Sequence, residues 1–383
     1  MAYRATVFSQ VLQRLPKLRF QKFVDKHNGD QRLRKLDCWT WFGALLFGQL
    51  TGDNAVRAIA RAFQCHTLGL RTLGFQRVCR STLAEANERR PLPILEATFY
   101  SLLSLAREQA PQSKFRFKGP VWAYDSTTIS LCLELCPWAQ FHHGKGACKL
   151  HTAIDLAADL PLFAVVTAGK THDVVVARGL YFPAGTTVIF DKAFMDYAWL
   201  SKLNSSGVCF VTRMQGNCQH QVREWSKTNR TQGIICDQTI KLCSLRGQED
   251  EGLLRKVSYR QPDTGKRLTF LTNRFDLSPK TIANLYKARW QIEIFFKTLK
   301  NQLRIKKFLG TSAHSVQAQI WVALIASLLV SLIRWQNKLN WSIPETMAVL
   351  GVMLLLRRPL TTILANAPSL RLNHNPPNQL TLW

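Results

Sequence analysis

Ser278-Pro279-Lys280-Thr281-Ile282-Ala283-Asn284-Leu285-Tyr286-Lys287-Ala288-Arg289-Trp290-Gln291-Ile292-Glu293-Ile294-Phe295-Phe296-Lys297-Thr298-Leu299-Lys300-Asn301-Gln302-Leu303 is the stretch around which the chain is organised. Serine followed by proline is an N-cap with proline at the first helical position. No glycine or further proline occurs before Gly310, so the spacing predicts one long helix. At about 100° per residue, with Tyr286 at zero, Arg289 falls near roughly −60°, Glu293 near −20° and Lys300 near −40°. Four polar residues thus share a narrow arc. Leu285, Ile292, Phe295, Phe296, Leu299 and Leu303 cover the adjacent side, which is the face expected to pack on a core. A carboxylate among tyrosine, arginine and lysine suits a site that holds a metal and phosphates together. The alternative open on spacing alone is a solvated face, with Glu293 neutralised by Arg289 and by Lys297.

Charge context favours a purpose for Glu293. Residues 277–383 carry 13 Lys and Arg but only two acids, Glu293 and Glu345. The whole chain has a formal net charge of +27, which points to a polyanionic partner. Residues 1–118 hold 20 basic and 8 acidic residues, whereas 119–276 hold 18 and 14. Two basic flanks around a more acidic centre suit a DNA channel leading to a metal site. A ribosomal or membrane-surface protein shares such a charge, but 383 residues with long stretches of globular periodicity fit an enzyme-sized fold of two or three domains.

The first ~115 residues read as helical by pattern. Phe8, Val11, Leu12 and Leu15 form one amphipathic series closed by Pro16, and Asp37 to Leu50 is apolar nearly all round. Residues 80–90 carry a capping-box pattern, Ser81 with Ala84 or Thr82 with Glu85, the latter carrying the acid, and suit a DNA-contacting helix as well as an ordinary surface one. After a short basic linker, 112–119, the period changes. Val121 to Ile129 is β-rich and its apolar half ends at Asp125. Lys149 to Asp155 and Pro161 to Thr167 are two further strands around a turn at Ala158-Asp159. A helix over Val174–Leu180 follows, then a strand Thr186–Asp191 ending again in aspartate, a helix near Tyr197–Leu203 and a strand Val208–Arg213. This is an α/β arrangement around a mixed sheet. Asp125 and Asp191 are expected at strand ends, where open sheets place their sites. From Met214 to Leu277 short β-leaning runs are punctuated by Gly233, Gly247, Gly252 and Gly265.

Tyr286-x2-Arg289-x3-Glu293-x6-Lys300 resembles the Y-R-E-K pattern of the DDE transposases of bacterial insertion sequences, in the insertion-sequence-four branch. Tyr124-Asp125-Ser126-Thr127 resembles the first-aspartate motif of that family. Asp191-Lys192-Ala193-Phe194-Met195-Asp196-Tyr197 resembles the second, with Ala193 and Phe194 replacing the usual glycine and tyrosine. Residues 80–90 resemble part of the family's amino-terminal DNA-binding domain, and the likeness covers most of the chain. It implies an α/β fold: a ribonuclease-H-like mixed sheet interrupted by a β-rich insertion, with a helical N-terminal domain and a helical C-terminal region. The expected divisions are 1–115, 119–213, 214–277, 278–340 and 341–383, with the insertion at 214–277.

The resemblance further implies that Asp125, Asp191 and Glu293 ligate Mg²⁺, two ions being expected and Mn²⁺ able to substitute. It makes Tyr286, Arg289 and Lys300 contacts to phosphates at the transposon end, with Arg213 a further candidate. Some relatives stack a flipped base on an insertion-domain tryptophan, and Trp225 is the candidate here. The implied reaction is cleavage at the element's terminal repeats and strand transfer into target DNA by a homodimer. A nuclease of the same fold without transfer, or a DNA-binding regulator without turnover, are the alternatives. The ten cysteines contain no Cys-x2-Cys pair. Cys132-x3-Cys136 with His142 and His143 lacks the usual zinc spacing. Reduced thiols in a bacterial cytoplasm, with the protein at the nucleoid, are the expectation. Ile320 to Ile333 is apolar but falls short of the ~20 residues of a membrane span, so a buried core helix and no membrane partner are expected.

Overall fold

The computed structural model describes residues 5–31, 35–53, 55–111, 117, 119–141, 145–228, 232–243, 249–303 and 308–366. These pack as two compact units. One is helical and draws on residues 5–111, 128–148 and 295–366; the other draws on 117–127 and 149–294.

In the helical unit the N-terminal run forms α1 (Val7–Leu12), α2 (Lys17–Lys26), α3 (Cys38–Thr51), α4 (Val56–Cys65), α5 (Thr67–Arg71), α6 (Arg80–Arg89) and α7 (Leu92–Gln109). Asp37 caps α3 by accepting from the Thr40 amide at 2.7 Å, and every residue of α3 from Cys38 to Leu50 is buried. The capping box expected at Thr82 and Glu85 does not form. Helix α6 starts at Arg80 with Cys79 as its N-cap, which leaves Thr82 inside the first turn. Glu85 pairs instead with Arg89, one turn on, at 2.8 Å.

The mixed sheet comprises β1 (Val121–Leu131), β2 (Gly146–Asp155), β3 (Leu160–Ala168), β4 (Thr187–Phe190), β5 (Cys209–Arg213), β6 (His220–Trp225), β7 (Ile234–Cys243), β8 (Glu249–Arg260) and β9 (Arg267–Thr272). Its order is β3-β2-β1-β4-β5-β9-β8-β7-β6. Helices α8 (Asp173–Gly179) and α9 (Tyr197–Ser205) lie in the segments joining β3, β4 and β5. Strands β1, β4 and β5 run parallel, and β4 is buried throughout, as an interior parallel strand covered on both faces must be. Gly207, in the left-handed region at φ 68°, turns the chain from α9 into β5. Around this centre Tyr124, Phe190, Phe194, Trp199 and Phe210 form an aromatic core.

The β-rich segment extends the same sheet: β9 pairs antiparallel with β5, Thr212 opposite Leu271. Within it Arg255, buried, makes a two-pronged ion pair with buried Asp237 at 2.8 and 2.7 Å and also donates to the Leu277 carbonyl at 2.6 Å. Leu277 immediately precedes the cap of the next helix. Asp237→Ala is expected to destabilise the fold by about 3–5 kcal/mol, because it strands a buried guanidinium; a urea melt checks this.

The quoted stretch forms α10 (Pro279–Ala288) and α11 (Trp290–Leu303). Ser278 caps α10, accepting from the Thr281 amide at 3.1 Å. The single long helix of the sequence reading is interrupted at Arg289. There the Arg289 amide bonds back to the Tyr286 carbonyl and the Ile292 amide to Arg289, each three residues apart, so the coil tightens locally. Arg289 itself keeps right-handed helical angles, φ −53° and ψ −28°, and so the helical phase carries across. Leu285, Ile292, Phe296 and Leu299 are buried, as the apolar face required.

In the helical unit α12 (Ala313–Gln336), α13 (Ile343–Met353) and α14 (Leu360–Asn366) complete the chain as described. Helix α12 is long and apolar enough to cross a membrane, but its apolar span is almost wholly buried against protein, including α7 and α3. It is a core helix. The Val7 and Phe8 amides donate to the Leu356 and Leu354 carbonyls, so the two ends of this unit are tied by backbone bonds.

Candidate active site

Registers across the parallel strands build the site. Ala123 stands opposite Ile189 on β1 and β4, and Phe190 opposite Thr212 on β4 and β5. Continuing those registers sets Asp125, Asp191 and Arg213 in one row. Asp191 follows the last residue of β4 and so meets the strand-end expectation. Asp125 does not, for β1 runs on to Leu131 alongside β2. It is its parallel neighbour β4, not β1, that ends at this level.

Helices α10 and α11 supply the other half. The Arg289 guanidinium donates from Nη1 to Asp125 Oδ2 at 3.0 Å and from Nη2 to Glu293 Oε1 at 2.5 Å. The Tyr286 hydroxyl donates to Asp191 Oδ1 at 3.0 Å. The guanidinium lies over the Tyr286 ring, 5.6 Å from its centroid. Tyr286 and Arg289 are both buried, at 4% and 5% exposure, so neither is the solvated surface group that spacing alone allowed. The ion pair between Glu293 and Arg289 expected of a solvated face does exist, but the same guanidinium reaches across to Asp125.

The Asp125 carboxyl is pushed up to about 6, chiefly by burial; Arg289 and the Ser126 amide oppose the rise, and Glu293 and Asp191 add to it. Asp125 is therefore within electrostatic reach of both Asp191 and Glu293. Burial works against the Arg289 charge, but Tyr286, Asp125, Glu293 and Asp191 together outweigh it and raise its pKa. Burial also raises the Tyr286 phenol, an effect that the Arg289 charge and, more weakly, Arg213 oppose.

Among the described residues no three His, Cys, Asp or Glu side chains converge closely enough to hold a metal ion as they stand. The donor set is nevertheless the right one for a hard cation: three carboxylates, oxygen only, disposed about one positive charge. Lys300 sits seven residues beyond Glu293 on α11, half-buried, and desolvation lowers its pKa. Trp225 is 68% exposed on β6, the edge strand five places from β4, or about 24 Å along the sheet at ~4.8 Å per strand. It is not brought to the carboxylates. Cys136 is buried, and His142 and His143 lie outside the described residues.

One polar group escaped the sequence reading. The Ser126 hydroxyl donates to Asp173 at 2.8 Å, and Lys149 pairs with Asp173 at 3.2 Å while donating to the Thr171 carbonyl. The Ser126 amide meanwhile donates to Asp125 Oδ1 at 2.8 Å. Ser126 is thus held from one side while it fixes Asp125 on the other. A lysine within a largely buried strand, and an acid opening α8, were the signals available.

Comparison with known proteins identifies the family. A family model described as Transposase DDE domain matches residues 116–329, and a domain of unknown function (DUF4372) matches residues 3–76. A Sinorhizobium fredii protein described as a transposase, y4zB, is 31% identical over 68% of this chain and 73% of its own length. A Geobacillus stearothermophilus protein described as a transposase for insertion sequence element IS5377 is 29% identical over 68% of each chain. A Synechocystis protein described as a transposase for insertion sequence element IS4SA is 23% identical over 66% of this chain and 71% of its own. The family works on DNA and uses divalent metal ions. With the family model spanning the two aspartates and the Glu-bearing helix, the chain belongs to the DDE transposases of bacterial insertion sequences, enzymes of DNA cleavage and strand transfer.

Proposed function

We propose that Asp125, Asp191 and Glu293 are the metal ligands of this transposase, acting on the terminal inverted repeats of its own insertion sequence. The observation that carries the reading is the placement of all three carboxylates about the Arg289 guanidinium. Mg²⁺ is the expected ion, two per site, with Mn²⁺ able to substitute. When bound, such ions supply an activated water or 3′-hydroxyl and stabilise the leaving oxygen of an in-line displacement. The chain's own residues do the rest. Tyr286, Arg289 and Arg213 border the carboxylates and offer donors to the phosphates flanking the scissile bond, and Lys300 adds a further cation on α11. Phosphate contacts of this kind set the register of the DNA without reading its bases. Ser126, backed by Asp173 and Lys149, keeps the Asp125 carboxylate in place. The N-terminal helices are assigned to binding the terminal repeats, the 214–277 segment to the insertion, and Trp225 to DNA that reaches the far sheet edge. A homodimer in the DNA complex, in the cytoplasm at the nucleoid, completes the reading.

The test uses a duplex ending in the element's own repeat and a supercoiled target plasmid. Mg²⁺-dependent cleavage followed by joined products is expected, with none in EDTA; cleavage without joining would reduce the protein to a nuclease. Binding is expected to weaken steeply with salt, on the order of a thousandfold between 50 and 200 mM, because a chain of this charge displaces many counterions. A log–log slope near zero would remove the DNA channel from the argument.

A further inference from the structure

We propose that Arg289 is the resident cation of the carboxylate cluster, and that metal enters as DNA phosphate draws its guanidinium away. This rests on the reading of Asp125, Asp191 and Glu293 as ligands. The reason lies in how the cluster is occupied. Arg289 holds one oxygen of Asp125 and one of Glu293, and Tyr286 holds one of Asp191, so each carboxylate is engaged by this one tyrosine–arginine pair. A guanidinium and a divalent ion repel each other, and a half-buried cluster screens that repulsion less than open water does. The two therefore compete for the same oxygens.

Arg289 also carries the means of leaving. Its Nε is buried with no hydrogen-bond partner, so its fork is incompletely satisfied where it stands. A phosphate oxygen accepts from such a fork in the same two-pronged geometry as a carboxylate. Transfer of Arg289 from Asp125 and Glu293 to a phosphate frees both carboxylates and adds a negative charge beside them. Metal and DNA then bind with positive coupling, each raising the other's affinity by the same factor. Without DNA the cluster stays paired with Arg289 and poor in metal, which keeps the resting enzyme from cutting at random.

The test is Mn²⁺ binding to the full chain, read by the free-ion electron paramagnetic resonance signal, without DNA and with a duplex of the element's end. Arg289→Gln is expected to bind Mn²⁺ in the absence of DNA at least about tenfold more tightly than the wild type, since a charge at ion-pair distance is removed. Arg289→Gln combined with Asp125→Asn is expected to lose that gain. Wild-type affinity is expected to rise by a similar factor when duplex is added, and that of Arg289→Gln to change little. Equal affinities of wild type and Arg289→Gln, at a site that Asp125→Asn abolishes, would overturn the exchange while leaving the ligand assignment intact. Mn²⁺ binding that Asp125→Asn does not touch would instead sink the ligand assignment. Should Arg289→Gln not fold, the wild-type comparison with and without duplex decides: unchanged Mn²⁺ affinity overturns the proposal.

Discussion

Asp125→Ala, Asp191→Ala and Glu293→Gln are each expected to lower metal-dependent cleavage by at least about a thousandfold, because a lost ligand forfeits several kcal/mol of charge stabilisation in the displacement. Binding of the end duplex in the absence of metal is expected to fall no more than about threefold below wild type, since basic side chains grip the phosphates and the carboxylates do not. The measurements are cleavage in Mg²⁺ and a gel-shift titration at one fixed salt concentration. Any of the three that retains wild-type cleavage leaves the site. Asp125→Ala removes one of Arg289's two carboxylate partners, and Glu293→Gln removes the charge of the other. A thermal melt therefore accompanies the assay, to separate a lost ligand from a lost fold.

The second large effect concerns Arg289. In single-turnover cleavage with DNA in excess, Arg289→Ala is expected to cost about a hundredfold even at saturation, because misplacing the reacting phosphate by about an ångström costs that much. Lys300→Ala is expected to lower the rate less, by about tenfold, as a cation on the same helix that lacks a place among the carboxylates. Lys287→Ala is the control. Lys287 is exposed on α10 and is expected to lose a little affinity and no saturated rate. Equal and purely affinity-based losses from all three would return the helix face to a solvated basic surface. Together with the metal titration, the prediction for Arg289 is pointed: variants that hold metal better and cut worse.

Much of the fold was legible because its elements carry their own signals. Thr187 to Phe190 is β-branched or aromatic throughout, which is what an interior parallel strand favours, and Ser278-Pro279 announces α10 at its first residue. The aspartate after that strand could be read for the same reason. Asp125 was harder to place, because β1 continues past it in alternating residues whose pairing with β2 depends on a segment some twenty residues away. Strand β6 was missed altogether. His220 to Trp225 is polar and largely exposed, so as an edge strand it has no burial pattern to betray it. The helical phase correctly gathered Tyr286, Arg289 and Glu293 on one side. What it could not give is the partner on the other: Asp125 lies 164 residues from Arg289, and only the parallel registers bring the two together. Ser126 with Asp173 is the same problem at shorter range.

The pairing of β9 with β5 makes residues 214–277 a poor target for deletion. Joining Arg213 directly to Ser278 would strip β5 of its outer neighbour and bare a row of backbone amides and carbonyls to solution, a ready template for another copy's strand. It would also remove both Arg255 and the Leu277 carbonyl to which it donates, the tie beside the cap of α10, the helix that brings Tyr286 to Asp191. A shortened enzyme of this kind is therefore expected to pellet on expression, and any relative that trims the segment must supply both a new border for β5 and a new anchor for α10 in the same step.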